Sequence, residues 1–121
     1  NQKNNKILNK CLYYSCLEDD FKNGILTLES KVGERGIQLS GGQRQRIGIA
    51  RALYIFFKQK SSILVLDECT SALDEYTSKE ILRRLSEIKP KITIVLVTHR
   101  NDILDSFDKV YKLEKGFFRA A

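Results

Sequence analysis

The sequence predicts an α/β fold built on a small parallel sheet, and three observations carry that prediction. Ile63-Leu64-Val65-Leu66 is a continuous apolar run of strand length, the pattern of a strand covered on both faces. Ile92-Thr93-Ile94-Val95-Leu96-Val97 is a second such run. Between them Ile81, Leu82, Leu85 and Ile88 recur at the spacing of one helical face, in a helix expected near Tyr76 to Ile88 and stopped by Pro90. Strand, helix, strand in this order is a βαβ unit, whose two strands run parallel with a right-handed crossover.

The other elements follow in chain order. Ile7, Leu8, Cys11, Leu12 and Ser15 line one face of a first helix, and a short second helix near Leu17 to Lys22 closes at Asn23-Gly24. Ile25 to Val32 fits neither period, and Gly33-Glu34-Arg35-Gly36 is a loop by its two glycines. Ser40 with Gln43 three residues on has the capping-box spacing, so a helix begins there. Ile47, Ile49, Ala50, Leu53, Ile55, Phe56 and Phe57 cover most of its circumference, which predicts burial on more than one side. Beyond the second strand, a short helix is expected around Asp102 to Phe107. Lys109 to Leu113 then reads as an edge strand turning at Lys115-Gly116 into Phe117 and Phe118.

The 121 residues make one domain's worth of chain, with no internal repeat or low-complexity linker. No apolar run approaches the roughly 20 residues of a membrane helix. The chain opens without Met on a polar run, which suggests a piece of something longer. A net charge of +6 permits an anionic partner without choosing one, since the basic residues are scattered. The 3 cysteines, Cys11, Cys16 and Cys69, have neither metal-type nor redox-type spacing and read as reduced thiols.

Two stretches carry candidate chemistry. Gly41 and Gly42 are poor helix formers placed at a helix start, which makes sense where a ligand must approach the backbone. Arg44 and Arg46 lie in the first turn, where the helix dipole disfavours cations unless an anion docks on the exposed N–H groups. The plainer alternative is a Gly-rich loop ahead of a core helix. In the second stretch, Asp67 and Glu68 end the first strand and His99 follows the second. Parallel strands bring all three to the carboxyl edge of the sheet, where open α/β sheets bind ligands. Asp67 suits a hydrated magnesium ion, and Glu68 can act as general base toward water, a role worth about 10²–10⁴-fold in rate. His99 could bind a terminal phosphate oxygen or orient that water. The alternatives are a solvated acidic strand end and a capping or core histidine; convergence of the three at one edge weighs against both.

These residues together resemble the ATP-binding domain of ATP-binding cassette (ABC) transporters. Leu39-Ser40-Gly41-Gly42-Gln43 resembles the signature motif of that family, and Ile63 to Glu68 its Walker B segment. Ser71-Ala72-Leu73-Asp74 is similar to its D-loop and His99 to its switch histidine. The match covers nearly the whole chain from Val32 onward, and Val32 to Gly36 resembles the loop that touches the membrane domain in exporters. The resemblance implies a partial P-loop NTPase core with a parallel βαβ sheet plus part of the helical signature subdomain. About residues 1–60 would form the helical part and about residues 61–121 the catalytic part. It implies ATP and Mg2+ as ligands, with Ser40 and the Gly41-Gly42 backbone on the γ-phosphate of an ATP held by a second nucleotide-binding domain in a head-to-tail dimer, and Gln43 and Asp74 among the nucleotide-binding residues. Asp67 would serve magnesium, Glu68 would polarise water, His99 would contact the γ-phosphate, and Asp74 would couple the two sites. The expected setting is the cytoplasmic face of a membrane, against a transmembrane domain that exports or flips a substrate.

Three departures qualify the match. None of the 7 glycines is followed by Lys, so the Gly-x-x-x-x-Gly-Lys-Ser/Thr loop is absent and the chain resembles the C-terminal portion of the domain, expected to be inactive alone. Cys69 stands where the family usually has Ala. The link Tyr54 to Ser62 is about one helical turn longer than usual, either as extra helix or as a loop. Two other functions stand beside the transporter reading. One is a soluble ABC ATPase acting on DNA or ribosomes, disfavoured because no basic, aromatic-interleaved patch is present and no nucleic acid is expected. The other is a non-catalytic binding fragment.

Overall fold

A computed structural model describes residues 2–33, 38–88 and 90–121. Two helices open the chain, α1 (Gln2–Tyr14) and α2 (Glu18–Lys22). The long helix α3 (Gly41–Gln59) leads into β1 (Ile63–Asp67), then α4 (Glu75–Ser86) and β2 (Thr93–Val97). A 3₁₀ turn (Leu104–Ser106) and a hairpin of β3 (Tyr111–Glu114) and β4 (Phe117–Ala120) complete it. The segment Ile25 to Val32, which fitted no period, forms neither helix nor extended strand. Residues 34–36 of the exporter-type loop lie outside the described residues.

The expected capping box starts α3: Gln43 N–H donates to Ser40 Oγ at 3.1 Å, and Ser40 N–H donates to Gln43 Oε1 at 3.0 Å. At its other end the long link proves to be helix. α3 runs on to Gln59 and stops where Lys60 turns left-handed (φ +52°), with Ser61 N–H donating back to Phe56 O at 3.1 Å. The extra turn is what carries Phe56 and Phe57 over the core. α3 is buried on two sides, as its pattern predicted. Ile49, Leu53 and Phe56 enter the main core, while Ile47 and Ala50 turn toward Leu17, Leu26 and Leu39. Ile55 departs from the expectation and is 55% exposed, because neither cluster reaches its side of the helix.

β1 and β2 pair in parallel in the register Ile63↔Thr93 to Asp67↔Val97. Leu64 and Leu66 point into the core against Ile49, Leu53 and Phe56 of α3 and Ile81 and Leu85 of α4, with Ile88 just beyond it. The opposite face does not match the expectation of strands covered on both sides. Ile63, Val65, Val95 and Val97 are exposed there, Val65 by 63%, because both helices pack on one face only. The hairpin departs too. β3 begins at Tyr111 and pairs antiparallel with β4 in a sheet of its own rather than extending the edge of the parallel one. Gly116 at φ +81° beside Lys115 makes the expected turn.

The start of α4 is capped by Asp74, which accepts from Thr77 N–H at 3.0 Å and from the Thr77 hydroxyl at 2.6 Å. Arg84 ties α4 to α1 by donating to Tyr13 O at 2.7 Å, with its guanidinium 4.5 Å from the Tyr13 ring centroid. Arg83 and Arg84 together hold the Glu80 carboxyl down at about 2. No helix among the described residues is long and apolar enough to cross a membrane.

Two predictions follow from this packing. Leu53 is fully buried, so Leu53→Ala should lose about 2–5 kcal/mol in urea denaturation. The same change at half-exposed Ile55 should stay within about 1 kcal/mol. The Asp74 carboxyl is held below the usual carboxylate range by the Thr77 hydroxyl, then by the Thr77 amide. A depressed folded-state pKa stabilises above the unfolded value and loses that contribution as pH falls through the folded value. The gap in urea midpoint between wild type and Asp74→Ala should therefore close as pH drops from about 5 to about 2. A gap that widens on acidification would contradict the cap.

Candidate functional site

β1 ends at Asp67, and the next residue, Glu68, takes a left-handed backbone conformation at φ +48°. Side chains without β-branching tolerate this region, but each such residue stores about 1–3 kcal/mol of strain. Glu68 is held there from two sides. Its N–H donates to Val97 O at 2.9 Å, extending the ladder one step past the strand. Its C=O accepts from Gln45 Nε2 at 3.2 Å, from the second turn of α3. The turn swings the Glu68 carboxylate across to the end of β2, where Oε1 lies 3.0 Å from His99 Nδ1. An ionised carboxylate only accepts, so the ring carries its proton on Nδ1 in this contact and keeps Nε2 for another group. The other oxygen, Oε2, is shielded from solvent and has no hydrogen-bond partner among the described residues. An orphaned carboxylate oxygen is costly to keep and is suited to a donor such as water. Asp67 stays exposed on the open face of the sheet. Asp67 and Glu68 line a cleft of about 330 Å³ with Gln45 and Gly48 of α3.

A second cleft, of about 440 Å³, opens at the α3 start and is lined by Ser40, Gly41, Gly42, Arg46, Ala72, Leu73, Asp74 and Thr77. A Cβ on Gly41 would sit 3.3 Å from Ala72 Cβ, and one on Gly42 3.3 Å from Leu73 Cδ2. The glycines thus serve packing: they let the Ala72-Leu73 loop lie against the helix start. Backbone N–H groups of the first turn remain available at the cleft, since only Gln43 N–H is capped by the Ser40 hydroxyl.

The structure therefore sorts the sequence-predicted residues into two groups. Glu68 and His99 are in contact and Asp67 shares the cleft with Glu68; Ser40, Gly41, Gly42 and Asp74 share the other. Gln43 joins neither. Its side chain is engaged with Ser40 N–H and donates from Nε2 to Asp20 Oδ1 at 2.9 Å. Arg46 is compensated in the same place, paired with Asp20 Oδ2 at 2.8 Å and donating to Cys16 O at 2.5 Å. Arg44 donates to Leu39 O at 3.2 Å. The charge of Arg46 is thus balanced within the chain and Arg44 is held by a backbone carbonyl, so no bound anion is needed to explain either.

Three residues the sequence reading passed over hold these groups in place. Gln45 bridges α3 to the Glu68 turn, Asp20 anchors Gln43 and Arg46, and Arg100 secures the loop between β1 and α4. Arg100 Nη1 reaches Thr70 O at 2.6 Å, Leu73 O at 2.9 Å and Ser78 Oγ at 2.8 Å, and its guanidinium also pairs with Asp102. That pairing with Asp102 raises the Arg100 pKa, so the group stays charged. Only the position of Arg100 beside His99 hints at this. Cys69, next to Glu68, has its thiol pushed up to about 11, by burial first and by the Glu68 charge in addition, so it is an inert thiol near neutral pH.

Comparison with known proteins fits this geometry. The sequence profile of the ABC transporter family matches residues 16–71. The chain is 39% identical over 89 residues to the ATP-dependent lipid A-core flippase of Methylobacillus flagellatus, covering 74% of this chain and 15% of that protein. It is 42% identical over 89 residues to the multidrug resistance ABC transporter ATP-binding and permease protein of Lactococcus lactis subsp. cremoris, covering 74% of this chain and 14% of that protein. The chain thus spans about 15% of the length of the relatives it matches. Among solved structures, one from work on ATP-driven dimerization and DNA-stimulated activation of SMC ATPases superposes with a TM-score of 0.57. It has 17% identity, covers 74% of this chain and 59% of that one, and shows the shared α/β fold. From the family profile and these relatives, the chain belongs to the ABC transporter family and carries part of its ATP-binding domain.

Proposed function

We propose that this chain is the C-terminal portion of a nucleotide-binding domain that drives export or flipping of a substrate across a membrane by hydrolysing ATP. On this reading about residues 1–60 belong to the helical signature subdomain and about residues 61–121 to the catalytic core. The observation that carries the proposal is the presence of two separate half-sites on one chain. The Glu68–His99 pair sits at the sheet edge, and the Ser40–Gly42 helix start sits with Asp74 in another cleft. A fold that keeps a water-activating acid apart from a phosphate-binding helix start suits a head-to-tail pair of domains, in which each ATP meets the acid of one and the helix start of the other.

In such a pair, the Glu68 carboxylate would take a proton from the attacking water as its oxygen bonds to the γ-phosphorus and the bond to the β-phosphate bridging oxygen breaks. That Oε2 has no hydrogen-bond partner among the described residues supports this role, since it is free to take a donor. His99, held by Glu68, would offer Nε2 to the γ-phosphate side of the same site. On the opposite chain, Ser40 and the N–H groups of Gly41 and Gly42 would bind the γ-phosphate oxygens at the positive end of α3. Asp74 would stand between the two sites across the dimer. Asp67, an exposed carboxylate at the strand end, fits the first ligand of Mg2+, which would neutralise phosphate charge. The transmembrane partner and the cytoplasmic face of the membrane belong to the same proposal.

The test uses the full-length protein reconstituted in lipid vesicles. Glu68→Gln should lower ATP turnover by about 10²–10⁴-fold while nucleotide binding persists. Turnover that survives this change would sink the role given to Glu68. The 121-residue chain alone lacks a Gly-x-x-x-x-Gly-Lys run and should release no phosphate from ATP in a colorimetric assay. Hydrolysis by that chain would show that the phosphate cradle lies within it after all.

A further inference from the structure

We propose that Gln45 is a positioning residue that links the two half-sites of this chain, by tying the first turns of α3 both to the Glu68 turn and to the Ser71-Ala72 loop. The proposal rests on the reading above and deepens it by naming the connection through which one half-site senses the other.

The geometry is specific. Gln45 lines the cleft of Asp67 and Glu68, while Ser40, Gly41 and Gly42, one turn earlier on the same helix, line the other. Its Nε2 donates to Glu68 O at 3.2 Å and to Ser71 Oγ at 2.6 Å, and its Oε1 accepts from Ala72 N–H at 2.8 Å. One planar carboxamide thus satisfies two acceptors and one donor on a segment more than 20 residues away. A flipped amide would set its NH₂ against the Ala72 N–H, so the orientation is fixed by its partners. The acceptor at Glu68 is the carbonyl of a residue at φ +48°, whose side chain direction follows directly from that turn. The Ala72 end of the same loop lies 3.3 Å from where a Gly41 Cβ would be. Movement of the helix start against Ala72 therefore cannot occur without loading the Gln45 carboxamide, and the carboxamide holds the Glu68 turn. The loop has little freedom to absorb the movement, because Arg100 holds its Thr70 and Leu73 carbonyls from the other side.

No other residue type meets all three partners. Glutamate at 45 would keep the acceptor for Ala72 N–H and could accept from the Ser71 hydroxyl, but would lose the donor to Glu68 O. Alanine would lose all three.

The experiment compares Gln45→Glu and Gln45→Ala in the full-length protein by steady-state ATPase kinetics and by hydrogen exchange read at the Ala72 amide. Gln45→Glu should lower kcat by about 5- to 50-fold, with KM for ATP within about twofold and Ala72 exchange unchanged. Gln45→Ala should lower kcat at least as far, reduce cooperativity between the two ATP sites, and speed Ala72 exchange by about tenfold or more. Wild-type kcat in Gln45→Glu would overturn the proposal, as would raised KM with kcat intact or unchanged Ala72 exchange in Gln45→Ala. Exchange quickened throughout α3 and α4 in Gln45→Glu would make the residue merely structural and overturn it equally. Should Gln45→Ala fail to fold, Gln45→Glu decides alone. Turnover that Glu68→Gln leaves intact removes the reading on which this rests. Glu68-dependent turnover with Gln45→Glu at the wild-type rate removes the Gln45 proposal only.

Discussion

The left-handed turn at Glu68 is the constraint on which the rest of this structure depends. An extended residue after Asp67 would carry the chain onward along β1 and leave the carboxylate on one side of the sheet with no access to β2. At φ +48° the chain folds back, Glu68 N–H completes the pairing with Val97, and the carboxylate reaches His99. Such a conformation persists only when its surroundings over-determine it. Here they do, through the β2 ladder on one side and the Gln45 amide on the other. The same turn launches the loop that crosses the start of α3 and ends in the Asp74 cap of α4. One strained residue thus orients the candidate base, places the loop against the glycines, and fixes where α4 begins.

Electrostatics in the helical part follow a related logic. Arg46 stands where the helix dipole disfavours a cation, and α2 supplies the answer in Asp20, which is buried and has one oxygen on Arg46 and the other on Gln43. Removing either member of such a pair leaves an uncompensated charge, so the pair enforces one relative placement of α2 and α3 more than it adds to net stability. Since Gln43 also closes the capping box, the carboxylate of Asp20 reaches the N-terminus of α3 through a single side chain. Packing of Leu17, Leu26 and Leu39 supports that arrangement from beneath.

What the sequence made legible was local. The Ser40–Gln43 cap, the period of α4, the apolar runs of β1 and β2 and the turn at Gly116 all depend on residues within a few positions of each other. Parallel pairing followed from the order of those elements, and it brought Asp67, Glu68 and His99 to one edge. What stayed hidden was long-range. Gln45 and Arg100 act on loop segments and Asp20 on two side chains of α3, all 22 to 30 residues away, and their letters carry no period or spacing that says so. The apolar runs also overstated coverage. Val65 and Val95 have the composition of buried strand residues, yet α3 and α4 pack on one face only, and a run of letters cannot tell which face a helix covers. The strand and turn of β3–β4 were legible, but their standing in a separate sheet was not, because pairing partners are a property of the fold rather than of the segment.

The separation of the two clefts bears on how one nucleotide could meet all of these groups. Between the Glu68 cleft and the Ser40–Gly42 cleft stand the Gln45 side chain and the Ser71-Ala72 segment, joined by hydrogen bonds of 2.6 Å to the Ser71 hydroxyl and 2.8 Å from the Ala72 N–H. A γ-phosphate reaching Glu68 would have to part those bonds to touch Gly41 of the same chain. Parting them would loosen the same carboxamide that donates to Glu68 O at 3.2 Å and braces the strained Glu68 turn. On the proposed reading the conflict does not arise, because the helix start would serve a phosphate held by a second copy of the domain in reversed orientation. Under that arrangement the Gln45 bridge becomes useful rather than obstructive. Because it stays intact, closure of one chain on its neighbour's phosphate can bear on the acid that faces its own.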